Sequence, residues 1–130
     1  MTHLEKAKAL RADTQTHYNC AQSVLLAFED RIGLTEGQAF QVASHFGAGM
    51  RHGATCGVLS GGLMVLGLLG YDEKAAGELL RQFREKHEAT QCAELLSRSK
   101  DRGIARKEHC DGLVLEMVET LEQILSAQGE

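Results

Sequence analysis

Apolar residues recur along this chain at intervals of three and four, the spacing of one helix face, and no run alternates apolar and polar as a half-buried strand does. Leu4, Ala7 and Leu10 mark a short first helix. Ala21, Val24, Leu25, Phe28 and Ile32 mark a second that ends near Gly33. Thr35 with Gln38 forms a capping box for a third, carrying Ala39, Val42, Ala43 and Phe46. The stretch FGAGMRHGATCG breaks this helix and opens a fourth over residues 55–69, apolar on every side and so expected in the middle of a bundle. Gly57, Gly61 and Gly62 would each cost an exposed helix about 1 kcal/mol, so they are expected where another backbone or a cofactor comes close. Asp72 caps a fifth helix with Ala76, Leu79, Leu80 and Phe83 on one face, and a short sixth begins near Thr90 or Gln91. The last, from Lys107 to Ala127, turns Leu113, Val114, Met117, Leu121 and Ile124 inward. The expected fold is all-α: a compact bundle of about five to seven helices around a central apolar, glycine-rich helix.

With 130 residues the chain fits one domain, expected over 1–130, and is long enough for a core. A formal net charge of −4 argues against binding phosphate backbones, so no nucleic-acid partner is expected. MTHLEKAKALRAD lacks the apolar region of a secretory signal, and Cys56 to Gly70, the longest apolar stretch, falls short of the roughly 20 residues of a membrane span. The expected location is cytoplasmic, with no membrane partner. Thiols stay reduced there, and four cysteines are too few for a disulfide scaffold, which leaves metal binding, redox chemistry or plain burial.

Cys20, Cys56, Cys92 and Cys110 each fall near the start of an expected helix, where partial positive charge and unpaired N–H groups favour a thiolate. Each also lies on the apolar face of its helix, so all four should point inward and could converge. No CxxC pair is present, so zinc-finger, thioredoxin and ferredoxin spacings all fail. Cysteine is also among the most buried residue types and often acts as a small hydrophobe.

Phe46-Gly47-Ala48-Gly49-Met50 followed by Thr55-Cys56-Gly57-Val58-Leu59-Ser60-Gly61 resembles the C_GCAxxG_C_C family of small bacterial and archaeal proteins. Cys20, within Tyr18-Asn19-Cys20-Ala21-Gln22, matches its first cysteine. Cys56, Gly57 and Gly61 match the central motif, and Cys92 and Cys110 match the two single cysteines that follow. Val58 stands where the motif prefers alanine, which adds bulk beside Cys56 but removes no ligand. The resemblance implies redox chemistry and has prompted the idea of an iron–sulfur cluster; it names no reaction.

Gly47-Ala48-Gly49-Met50-Arg51-His52-Gly53 is not a dinucleotide fingerprint, since its third glycine comes one position late and no strand precedes it. The same loop could bring backbone N–H groups to an anion or cluster, with Arg51 and His52 adding positive charge beside Cys56; together with Gly57 and Gly61 these are the candidate cofactor-binding residues. Cys56 is therefore the expected most reactive thiol. His109, next to Cys110, is a candidate ligand or acid–base partner; His3, His17 and His87 read as surface positions. Arg81 to Glu88 reads as a solvated face with i,i+4 pairs.

Two function classes follow. In the first, the four cysteines serve as catalytic thiols or as metal ligands for zinc or an iron–sulfur cluster, and the protein meets an electron-transfer or thiol-redox partner. In the second, the chain is a non-catalytic interaction or dimerisation module, a homodimer included, with its cysteines as packing.

Overall fold

The computed structural model describes residues 1–127; the last residues of the expected 1–130 domain lie outside them. The described residues form seven α-helices and no named strand: α1 (His3–Ala12), α2 (Cys20–Ala27), α3 (Glu36–Val42), α4 (Gly57–Leu68), α5 (Glu73–His87), α6 (Cys92–Asp101) and α7 (Arg106–Ala127). No helix among them is long and apolar enough to cross a membrane.

The helix starts are set by side-chain caps. Thr2 with Glu5, Asn19 with Gln22 and Thr35 with Gln38 each close a capping box for α1, α2 and α3, and Asp72 accepts the Ala75 N–H to start α5. The expected second helix stops short. It ends at Ala27, the chain turns through residues 28–31, and Ile32 reaches the core from beyond the helix end. α3 is also short, and Val42, expected inward, is 52% exposed at its last position.

α1, α2 and α7 pack on one another, α4 meets α2, α5 and α7, α3 lies on α2, and α6 rests on α7 and on the turn over residues 49–53. The helix buried over nearly its full length is α2, where Ala21 to Ala27 are all inaccessible. α4 is buried from Gly57 to Leu59 and at Gly61, Gly62, Val65 and Leu66, but Gly67 and Leu68 at its end are exposed. α7 contributes Leu113, Val114, Met117, Val118, Leu121 and Leu125 to the core, with Ile124 half-buried.

Two histidines expected at the surface hold helices together instead. His3 stacks on Phe28 with centroids 4.3 Å apart and joins Asp30 at 2.9 Å and Glu122, tying α1 to the end of α2 and to α7. His87 leans on Phe83 and meets Glu116 at 2.6 Å, tying α5 to α7. The charged stretch on α5 is the expected solvated face, with Arg81 between Glu78 and Glu85.

The helical glycines divide by what surrounds them. A Cβ at Gly57 would meet the Phe46 carbonyl oxygen at 2.8 Å, one at Gly61 the Ala21 carbonyl oxygen at 2.9 Å, and one at Gly62 the Met117 sulfur at 2.7 Å. At Gly77, on the exposed side of α5, a Cβ would meet nothing within 4 Å. Gly77→Ala should therefore stabilise the protein by about 0.4–1 kcal/mol through helix propensity and a less free unfolded chain, read as a higher urea midpoint at unchanged slope.

Candidate functional site

Two features of backbone geometry bring the cysteine-bearing helices together. Gly57 and Gly61, four residues apart on α4, let that helix cross against the backbone of Ala21, which sets Cys20 beside the start of α4: a Cβ at Gly57 would lie 3.3 Å from that of Cys20. Separately, Thr55 and Gln91 form an isolated antiparallel bridge flanked by Cys56 N–H to the Thr90 carbonyl at 2.8 Å and Cys92 N–H to the Ala54 carbonyl at 2.6 Å. Cys56 is the N-cap of α4 and Cys92 the first residue of α6, so this bridge joins the two helix starts where no side chain caps either.

Cys20 opens α2 and is held from behind. The Asn19 side chain accepts from the Gln22 N–H at 2.7 Å and donates to the carbonyls of Ala43 and Ser44 at 3.2 Å, while the Gln22 side chain donates to the Phe40 carbonyl at 2.8 Å. These buried polar groups anchor the start of α2 to α3 and the turn after it. Cys110 sits at the fifth position of α7, within one residue of the placement expected for it.

As a result all four cysteines line one enclosed cavity of about 30 Å³, together with Ala48, Gly57, Leu95, Leu96, Arg106, His109 and Leu113. This is room for a water or two rather than for a large ligand. All four are free thiols, Cys56 buried and the others half-buried. A cleft of about 720 Å³ between the start of α5 and the end of α7 holds no thiol or imidazole.

The thiols differ in character. Cys20 and Cys110 share the cavity wall and interact strongly through their thiol groups, so the pair titrates as a unit. The negative charge belongs on Cys110: the polar Cys20 thiol faces it, it is less buried, and Arg11 and Arg106 are nearby, which together hold its thiol below the ordinary range. Cys20, already facing that charge and itself buried, is pushed upward. Burial pushes the Cys56 thiol up to about 11, although the amides of Val58 and Leu59 draw near its sulfur without closing a cap hydrogen bond. Cys92 is also raised, first by burial and then by Cys110. Cys56, expected to be the most reactive thiol, is instead held protonated by burial, and Cys110 is the thiol drawn toward the thiolate.

The cations at this site also differ from expectation. Arg51 and His52 are exposed and absent from the cavity wall, and Arg51 meets His45 Nδ1 at 3.0 Å. Ala48, Gly49, Met50 and Arg51 all have positive φ, between 51° and 69°, so the backbone here winds left-handed, a strained course for three residues that are not glycine. The turn closes with the Ala54 N–H on the Gly49 carbonyl at 2.8 Å, and Gly49 allows Cys92 to approach, since a Cβ there would lie 2.6 Å from that of Cys92. The nearby cations are Arg11 and Arg106. Arg11 donates through Nη1 to the Tyr18 carbonyl at 2.9 Å and through Nε to Asp111 at 2.7 Å, so one side chain clamps the residues beside Cys20 to those beside Cys110. Burial raises the Asp111 carboxyl, but Arg11 and Lys107 outweigh it and hold it below the usual range. His109 lines the cavity, and burial lowers its affinity for a proton. The spacing of Arg106 to Cys110 and the Asn19–Gln22 box are sequence signals for two of the residues not singled out above; Arg11 has none.

The donor set does not suit a metal centre as arranged. Among the described residues no three of His, Cys, Asp and Glu are placed to hold one metal ion, so zinc has no ready ligand set. Gly57 and Gly61 face the α2 backbone rather than open space.

No curated protein and no solved structure matches the chain. Residues 18–124, a span that opens at the Asn19 cap and contains every cysteine, match the family described as "Putative redox-active protein (C_GCAxxG_C_C)". With most of its length covered by that match, the chain belongs to the C_GCAxxG_C_C family.

Proposed function

We propose that this chain is a thiol–disulfide redox protein, acting as one four-cysteine domain, whose working pair is Cys20 and Cys110. The observation that carries this reading is that Cys20 and Cys110 share the wall of one small cavity, with Arg106 in that wall and Arg11 tying Tyr18, beside Cys20, to Asp111, beside Cys110. A thiolate beside a thiol is the starting arrangement for a disulfide. Removing two electrons and the one remaining proton from the pair joins the sulfurs; a disulfide on a partner takes up both electrons and, with a second proton from water, becomes two thiols. Cys56 and Cys92, in the wall of the same cavity, are the reserve thiols of this reading, and His109 lies within the same wall. A reducing cytoplasm suits four free thiols.

Oxidation of the fully reduced protein with diamide under denaturant-free conditions, followed by a thiol count in denaturant, tests this. The count should fall from four to two. It should fall from three to one in Cys56→Ser and in Cys92→Ser, and stay at three in Cys20→Ser and Cys110→Ser. A count that stays at four in the wild-type protein would favour the packing or dimerisation module. Stoichiometric zinc or iron with blocked thiols after anaerobic purification would replace the pair with a metal centre.

A further inference from the structure

Cys110 and Arg106 are shared between the inner cavity and a second, outward-opening one. This outer pocket, about 400 Å³, lies where the end of α1 and the turn after it face the first turns of α7. Its size is that of a small-molecule site. Its charged and titratable wall is Arg11, Asp13, His17, Arg106, Lys107 and the Cys110 thiol. Leu10 and Tyr18 give it an apolar side.

Most of these charges are already occupied. Arg11 is committed to Asp111 and the Tyr18 carbonyl, and Lys107 to Asp111 and the Arg11 carbonyl, both at 3.0 Å for Lys107. Asp13 accepts the N–H groups of Gln15 and Thr16 at 2.8 and 2.9 Å. Arg106 is different: among the described residues no carboxylate pairs with it, and it stands in the same wall as Cys110. An uncommitted guanidinium next to a nucleophilic sulfur, in a cleft with an apolar side, fits a carboxylate-bearing molecule whose reacting atom is at the end of a methylene stem. The guanidinium also offsets the repulsion that an anionic ligand would otherwise feel from a thiolate.

We infer that this pocket is the entry site for a small, carboxylate-bearing disulfide, bound by Arg106 and attacked by Cys110. The inference rests on the thiol-pair reading above and adds its substrate class. The Cys110 thiolate attacks one sulfur of R–S–S–R′, forming a mixed disulfide Cys110–S–S–R and expelling R′S⁻, which takes a proton from water. Cys20, losing its proton, then attacks the Cys110 sulfur, forming the Cys20–Cys110 disulfide and expelling RS⁻. The small disulfide gains two electrons and two protons and leaves as two thiols; the protein supplies both electrons and the Cys20 proton, and water supplies the other. Cys20 lines the inner cavity and not the outer pocket, which suits it to the second, resolving step.

The test uses the full chain, fully reduced, with three disulfides: glutathione disulfide (net anionic), 2-hydroxyethyl disulfide (neutral) and cystamine (net cationic). The anionic probe should react fastest and the cationic one slowest. In Arg106→Ala the ratio of the anionic to the neutral rate should fall about fivefold, the effect of one charge pair near the surface. The ratio is the readout because any change in the Cys110 thiolate fraction cancels from it. In Cys20→Ser, intact-mass and peptide analysis should find glutathione trapped on Cys110. An unchanged ratio in Arg106→Ala, or an adduct on Cys56 or Cys92, overturns the pocket while leaving the thiol pair intact. If diamide closes the pair but none of the three probes does, a protein disulfide is the substrate and this inference falls. If diamide also fails, the thiol-pair reading itself has failed.

Discussion

Iodoacetamide at pH 7 is expected to alkylate Cys110 first and well before Cys56, at rates at least about tenfold apart. The thiolate is the nucleophile, and a thiol pushed up to about 11, as Cys56 is, keeps about one molecule in ten thousand ionised at pH 7. A thiol of ordinary acidity keeps about 1–3% ionised, and Cys110 lies below that range. The greater intrinsic nucleophilicity of the more basic Cys56 thiolate returns about a factor of ten, which leaves the stated margin before burial is counted. Raising the pH from 7 to 9 should change the Cys110 rate little, because that sulfur is already largely ionised, while the Cys56 rate climbs about tenfold per unit. Cys20→Ala removes the facing thiol but leaves Arg11 and Arg106, so labelling of Cys110 should slow yet still precede that of Cys56. Peptide mass spectrometry of a labelling time course measures all of this. Labelling of Cys56 first would return the activated thiol to the glycine-rich approach that the sequence suggests.

Gly61→Ala is expected to destabilise the protein by about 1–2 kcal/mol, the cost of overpacking less the gain in helix propensity. The added methyl would sit 2.9 Å from the Ala21 carbonyl oxygen and 3.0 Å from the Val24 Cβ, and neither is the loose end of a side chain. α2 cannot easily retreat, because it is buried against α1, α3 and α7 as well as α4. Thermal unfolding should show a drop of roughly 3–6 °C per kcal/mol in a chain of this length. The same change should loosen the wall between Cys20 and Cys56, so labelling of Cys56 should speed up in the variant even well below its unfolding temperature. Gly77→Ala, with open space around it, supplies the opposite sign from the same substitution. Equal and positive shifts at both sites would mean that the α2–α4 crossing has slack for a methyl group.

Much of this architecture is legible in the sequence because it is local. Helix periodicity and the caps at Thr35 and Asp72 depend on residues within a few positions of one another, and so does the placement of Cys20, Cys56 and Cys92 at helix starts. Spacing alone misjudged where α2 stops, since Ile32 continues the count of core-facing residues after the backbone has left the helix. The electrostatics of the site were less legible. Arg51 and His52 are close to Cys56 along the chain, but the left-handed turn leaves them exposed to solvent. Arg11 reaches Asp111 from 100 residues away, and no local pattern announces such a contact. A helix-start position favours a thiolate at Cys56, yet burial outweighs it; the sequence shows the first effect and hides the second.

The Arg11 clamp has a consequence for how the protein is made. Cys20 emerges early in synthesis, whereas Cys110 and Asp111 lie on the last helix to be completed. Until α7 docks against α1 and α2, Cys110 has neither the Cys20 thiol nor Arg11 as a neighbour, and the nascent chain carries four thiols of ordinary, sluggish reactivity. The surroundings that lower the Cys110 thiol thus arrive only when α7 packs into place.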